Sequence, residues 1–380
     1  MNRVKSALFA IGVLALAAPL AGGVAGCDEK KPSSDTARTD AGATDKYATA
    51  DPKLTKALQA AASSSATSDD GPPPEGVFAS GAADRRHPKG VPTKVDVLSD
   101  GADPKVTLAI APDASADAAR ATSYGPAALE IAQQQAQRPG PTLDFGLVIA
   151  PAKPADGGPD LLIATVASCG LAKEQMGQAP PGLDKDIAGL QGSQLRLKVT
   201  PDGKQSDLSV QLGKTAKADY DRLVLNAAEA LAASVVPLPG KPVGVGAQWI
   251  AETRTPLSGL DVIEYRAFKV KSVDGDRVHL TVDIKAYATD KTVQLAGLPP
   301  GATLEQFDAL GQGDLELLRG ETMARKADVQ ERVVMVFAPA GGVPKPEPGQ
   351  PPTQGMMTAQ IVTQATLVRG DDLRQALKHP

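Results

Sequence analysis

Three histidines, two cysteines and one tryptophan stand out in this chain by their chemistry, and their spacing decides what they could do. His87, His279 and His379 lie far apart, and none has a histidine or carboxylate at the spacing that puts two metal ligands on one helix face. No metal site is expected. His279 falls on the polar side of a strand pattern, where it would be solvated. Asp84-Arg85-Arg86-His87 reads as a surface loop with a local ion pair, or as a contact for an acidic group. Cys169 sits in the apolar run LLIATVASCGLA, which points to a buried, inert thiol. Gly213-Lys214-Thr215 resembles the end of a phosphate-binding loop, but Leu208 stands where that pattern needs glycine, so a turn is expected. Gly244-Val245-Gly246 lacks a third glycine and precedes a strand, so it too reads as a turn. Neither G-x-S-x-G nor S-x-x-K occurs. Asp283, across a hairpin from Asp274-Gly275-Asp276, would make a calcium edge only with further oxygens, because calcium takes six or more. The residues offer no catalytic set and no cofactor site. Trp249 has two readings: a core plug whose indole N–H meets a carbonyl, or a wall of a pocket for an apolar or sugar ligand.

The other cysteine has a clearer context. Arg3 and Lys5 precede an apolar run from Ala7 to Val24, the form of a secretory signal too short and too rich in small residues to span a bilayer well. It ends in Val24-Ala25-Gly26-Cys27, which resembles a bacterial lipobox. In that motif the cysteine is diacylated on its thiol and becomes the mature N-terminus. Cys27 is thus the expected lipid attachment site, and Cys169 is left without a disulfide partner. The expected address is the cell envelope, on the periplasmic or surface face of the outer membrane. Asp28 resembles the signal that retains lipoproteins at the inner membrane in enteric bacteria, so that membrane stays open too.

These features need a scaffold. The 380 residues, 42% hydrophobic and only 3% aromatic, must build a core from Val, Leu, Ile and Ala. A net charge of −4 with scattered Lys and Arg argues against nucleic acid as a partner. Residues 1–26 are the signal peptide. Residues 27–74 hold the lipidated cysteine and a Ser/Thr/Asp/Ala-rich tether that cannot bury enough to order itself, apart from a weak helix around Leu54–Ala62. Gly71-Pro72-Pro73-Pro74 marks the boundary of a single β-rich domain over 75–380.

Within it, alternation predicts a hairpin through Val95, Val97, Asp100-Gly101 and Val106–Ile110. A short helix is expected over Ala127–Gln137 behind Pro126. Leu143–Ile149 reads as a strand, and Leu161–Leu171 as a central strand apolar on both faces. After an amphipathic piece at Leu183–Leu190 comes a hairpin with Leu195–Val199 and Leu208–Leu212 as arms. The main helix is expected over 219–236, closed by Pro237. A strand then runs from Trp249 to Thr255, followed by a long hairpin turning at Asp274-Gly275. The phase slip between Ile263-Tyr265-Ala267 and Phe268-Val270 predicts a β-bulge near Ala267. Thr303-Leu304-Glu305-Gln306 has the capping-box form, giving a short helix ended by Gly311. Leu315–Leu318, Glu331–Ala338 and Met357–Arg369 supply the last strands. A loop over Pro339–Gly355 divides the final two, and Asp371–Lys378 reads as a short tail helix. The fold class is mainly β (β-rich α+β): an antiparallel meander forming a curved sheet or partly closed barrel, with one main helix packed on it.

The stretch VVPLPGKPVGVGAQW, a helix end followed by Pro-x-Pro and Val-Gly-x-Gly-x-x-Trp, lies downstream of Ala188-Gly189-Leu190-Gln191-Gly192 and its hairpin. With the lipobox, this is similar to a family of uncharacterised bacterial envelope lipoproteins, over about residues 185–369. The resemblance implies an anchored β domain and supplies no catalytic residues. More loosely, a curved sheet holding a helix on its concave face is similar to lipoprotein-carrier half-barrels, which bind acyl chains or protein partners. The expected role is therefore a monomeric, non-enzymatic binding module for a protein partner or apolar ligand, held at the membrane by Cys27. The alternative is an envelope hydrolase with a carboxylate-based site. An aliphatic groove on the concave face would favour the first, and converging carboxylates with shifted protonation the second.

Overall fold

The computed structural model describes residues 75–102, 124–135, 138–152, 161–172, 182–293, 298–340, 356–370 and 373. The residues of the expected signal segment, Cys27, the expected tether and Leu54–Ala62 helix, the expected Val106–Ile110 arm, His379, nearly all of the expected Pro339–Gly355 loop and nearly all of the expected tail helix lie outside them.

Period-two alternation of Val, Leu and Ile builds thirteen strands: β1 (Lys94–Ser99), β2 (Gly125–Gln135), β3 (Arg138–Pro139), β4 (Leu143–Ala152), β5 (Leu161–Leu171), β6 (Gln194–Val199), β7 (Gln205–Gln211), β8 (Gln248–Leu257), β9 (Leu260–Asp274), β10 (Arg277–Ala288), β11 (Thr303–Leu318), β12 (Lys326–Ala338) and β13 (Met357–Arg369). Among the described residues three α-helices accompany them, α1 (Ala82–Arg86), α2 (Leu183–Ala188) and α3 (Asp221–Ala233), the last led in by a 3-10 turn at Ala218–Tyr220. The strands form one antiparallel sheet in the order β1-β8-β9-β10-β11-β12-β13-β2-β4-β5-β6-β7, with β3 paired to β2. The sheet curls but is not closed by a ladder. Its ends meet where Thr93 N–H donates to the Gln205 carbonyl at 2.7 Å and Gln205 N–H donates to Thr93 Oγ1 at 2.9 Å.

α3 links β7 at one end of the sheet to β8 near the other, and fills the concave face. Val224, Ala227, Ala228 and Leu231 bury against inward residues such as Leu129, Phe145, Leu195 and Leu280 in the main core. Ser234 is the C-cap, and Val235 bridges to Met323, so α3 stops before Pro237 is reached. Its buried last carbonyls still need donors. Arg266 Nη1 reaches Ala232 O and Val235 O at 3.3 and 3.0 Å, and Gln205 Nε2 reaches Ala232 O at 2.9 Å. No helix among the described residues is long and apolar enough to cross a membrane.

Four expectations are corrected. Residues 125–135 are strand β2, not a helix, although Ala, Leu, Glu and Gln are good helix formers; β13 and β4 pair with both edges and bury Ala127, Leu129 and Ile131 in alternation. Thr303–Gly311 is the first half of β11, not a capped helix, because it pairs with β12, through a register shift between Leu304 and Gln306, and from Ala309 onward with β10. The bulge in β9 is at Lys271, not Ala267: Val270 and Ser272 lie opposite the neighbours Leu280 and His279. The phase slip has another cause. Val262 and Phe268 face inward, while Ile263, Tyr265 and Ala267 bury on the outer face beneath Phe78, Ala82 and Ala83 of the first segment. Finally, β5 is central but buries chiefly one face, Leu162, Ala164, Val166, Cys169 and Leu171. β1 is also the sheet edge beside β8, with Val97 opposite Trp249.

Candidate functional site

The inward parity of β9 that carries Val262, Phe268 and Val270 also carries Glu264 and Arg266, 7% and 2% exposed. Glu331 occupies an inward slot of β12 between Val329 and Val333. Glu229 descends from the last turns of α3. With Gln205 and Thr253, the three glutamates line a cavity of about 20 Å³ under the helix, room for one water. As whole residues Glu229 and Glu331 are half-buried, while the Glu229 Oε1 atom is enclosed without a partner.

Local structure makes these placements possible. Glu229 Oε2 accepts the N–H of Ser258 at 3.2 Å in the β8–β9 turn, where Ser258 and Gly259 both have positive φ (49° and 77°). Gly311, opposite Glu331, has no side chain because a Cβ there would lie 2.8 Å from Glu331 Cγ. Glu264 Oε1 is 3.2 Å from Arg266 Nε, close enough to form an ion pair but not aligned as a hydrogen bond.

Two arginines face three carboxyls, Arg222 acting on Glu229 and Arg266 on Glu264 and Glu331, and the electrostatics follow. Burial pushes Glu229 up to about 7 against the opposing charge of Arg222 and the turn N–H groups. Burial, then the charges of Glu264 and Glu229, push Glu331 up to about 8. Burial also raises Glu264, with Arg266 pulling the other way. Composition gave no hint of this set, but parity did: charged residues stand in slots where alternation calls for Val or Leu.

The outer face carries the larger opening. A trough of about 300 Å³ runs across β9–β13. Register builds it from two rows: Asp283, Gln312, Gln330 and Gln364 lie side by side on successive strands, and Thr281, Asp314 and Asp328 lie in the next row. Lys269 and Lys271 form the β9 wall. Gln364 Nε2 donates to Asp328 Oδ1 at 3.2 Å. The row ends where the first segment begins to cover Ala267.

That segment corrects the loop expected at Asp84–His87. Asp84-Arg85-Arg86 is helical, Arg86 is 7% exposed and His87 is fully buried. His87 Nδ1 lies 3.1 Å from Glu252 Oε1 and Nε2 lies 3.1 Å from Val91 O. Arg86 and Lys94 also approach Glu252, each at 3.3 Å. Burial works against the Glu252 charge, yet the His87 contact and the two cations hold it down to about 2.

The remaining residues are separate from both openings. Trp249 is fully buried, stacked on Phe268 at 5.3 Å, and its Nε1 donates to Pro237 O at 2.8 Å. It lines neither the cavity nor the trough. Cys169 is buried, and burial followed by the Asp144 charge raises its thiol to about 12. His279 is partly exposed, 3.8 Å from Glu316. Residues 213–215 form a turn against α2, with Thr215 Oγ1 donating to Gly189 O at 2.8 Å. Asp283 lies opposite Ala267, well up the arm from the Arg277–Asp274 pair, so the imagined calcium edge does not assemble. Among the described residues no group of three or more His, Cys, Asp or Glu side chains is arranged to hold a metal ion. No family model matches the chain, and no curated protein or solved structure was found to be similar to it.

Proposed function

We propose that this protein is a lipid-anchored envelope protein, held through Cys27, whose β domain is a non-enzymatic module for a polar protein partner that seats in the outer trough. The observation that carries this reading is where the space lies. The concave face, where a carrier would hold an acyl chain, is filled by α3 and its aliphatic contacts. The open volume is polar and faces outward. Amides and carboxylates repeated across four strands suit a surface that gains specificity from hydrogen bonds. The hydrolase alternative draws on the converging Glu229, Glu264 and Glu331. Their cavity admits one water and no substrate, so the binding reading is preferred.

Three measurements test it. Cys27→Ser should move the protein from the membrane to the soluble envelope fraction with unchanged melting. A photo-cross-linker at Gln330 should give one discrete adduct in envelopes, lost on Asp314→Lys, while the same group at Ser209 on β7 gives none. Sedimentation of Cys27→Ser with salt-washed membranes would overturn the anchor. Fatty acid in an organic extract of the pure domain would return the apolar ligand to first place.

A further inference from the structure

The seam between α3 and the sheet is crossed by more acid than base. Glu229 and Arg222 come from α3, Glu264 and Arg266 from β9, and Glu331 from β12. β7 and β8 add the neutral Gln205 and Thr253. In the intervening strands the positions opposite Glu264 and Glu331 are Ala286 and Gly311, which contribute no charge. Arg266 is already engaged, donating to the final carbonyls of α3 and lying beside Glu264. The enclosed Glu229 Oε1 has no donor at all. Fully ionised, this seam would hold more negative than positive charge in a small, largely desolvated cavity, which is costly.

We propose that the seam is an alkali-sensitive latch: α3 is held on the concave face while the glutamates beneath it keep protons, and it loosens when they lose them. Glu229 is the moving part, since the same side chain also clamps the β8–β9 turn through Ser258. Opening α3 would uncover the aliphatic concave face, so the state of the latch decides whether that face is available. The values raised to about 7 for Glu229 and about 8 for Glu331 set the upper end of the transition, at neutral to mildly alkaline pH. The sign follows from linkage. These carboxyls ionise near the ordinary glutamate value when α3 is released, so the closed form binds more protons between about pH 5 and 8. Closed-state stability is full below that window and declines as pH rises through it. Each proton released changes the opening constant about tenfold per pH unit.

The test is amide hydrogen exchange on the full chain from pH 6 to 8.5, corrected for base-catalysed chemical exchange, with β10 as internal reference. Amides of Val224–Ala232 should gain at least tenfold in opening while Val278–Ala286 do not. Glu331→Gln and Glu229→Gln, close in shape but unable to ionise, should each flatten that slope. Equal slopes in α3 and β10 would overturn the latch in the unmodified protein, whatever the variants do. An undiminished slope in both folded variants would overturn the assignment to these glutamates.

Discussion

Trp249→Ala is the substitution that most directly probes how the domain is held together. The indole is fully buried, lies between Val97 of the edge strand and Phe268, and stacks on the latter with ring planes 21° apart. Truncation leaves a cavity that the neighbouring strands cannot collapse into, because each is pinned by its own ladder. It also removes the donor from the buried Pro237 carbonyl. Core aromatic truncations cost about 3–5 kcal/mol, and the upper end applies here because a hydrogen bond goes with the ring. For a domain with about 5–15 kcal/mol of total stability, that brings unfolding close to ambient conditions. Trp249→Phe retains a ring against Phe268 but orphans the carbonyl, so it should cost about 1–3 kcal/mol. Urea unfolding followed by far-ultraviolet circular dichroism is the assay, since the variants lack tryptophan fluorescence. A loss below about 1.5 kcal/mol for the alanine variant would refute the argument, as would a phenylalanine variant equally damaged. In the unsubstituted protein the emission should be blue-shifted and indifferent to acrylamide and to fatty acid.

Other consequences follow from single residues. Arg369 is fully buried, pairs with Glu321, donates to Ala324 O at 2.8 Å and lies over the Tyr124 ring. Arg369→Leu should cost about 3 kcal/mol, near the low end for a broken buried pair because Arg325 still holds Glu321; adding Glu321→Leu should recover part of it in the same urea titration. Gly311→Ala should lower the melting temperature through its clashes with Glu331 Cγ at 2.8 Å and the Gln330 carbonyl at 2.9 Å, and Glu331→Ala in the same chain should relieve only the first. Cys169 should react with a thiol reagent only in denaturant, because its thiol is enclosed and raised to about 12; rapid labelling of the native protein at pH 8 would contradict its burial.

The sequence by itself determined those strands whose alternation is uninterrupted. The Leu195–Val199 hairpin, Leu143–Ile149, the arm Val278–Ala286 and the presence of α3 ahead of the Trp249 strand all follow from local apolar periodicity and turn chemistry, whereas α3 ends at Ala233, short of the Pro237 stop. β2 and the first half of β11 did not, because Ala, Leu, Glu and Gln prefer helix when alone; the second half, Leu315–Leu318, does read as strand. The two misread segments become strands because β13 and β4 flank β2 and β12 pairs along the first half of β11, satisfying backbone groups with an energy that no local window contains. The apparent slip in β9 likewise needed the segment from Val77 to His87, which turns the outer face of one strand into a second core. The polar interior was decided in the same way. Glu229, Glu264 and Glu331 are separated by dozens of residues and each is unremarkable alone. Only the register of the sheet and the placement of α3 bring three carboxyls to one enclosed space, and enclosure, by withdrawing water, is what changes their chemistry.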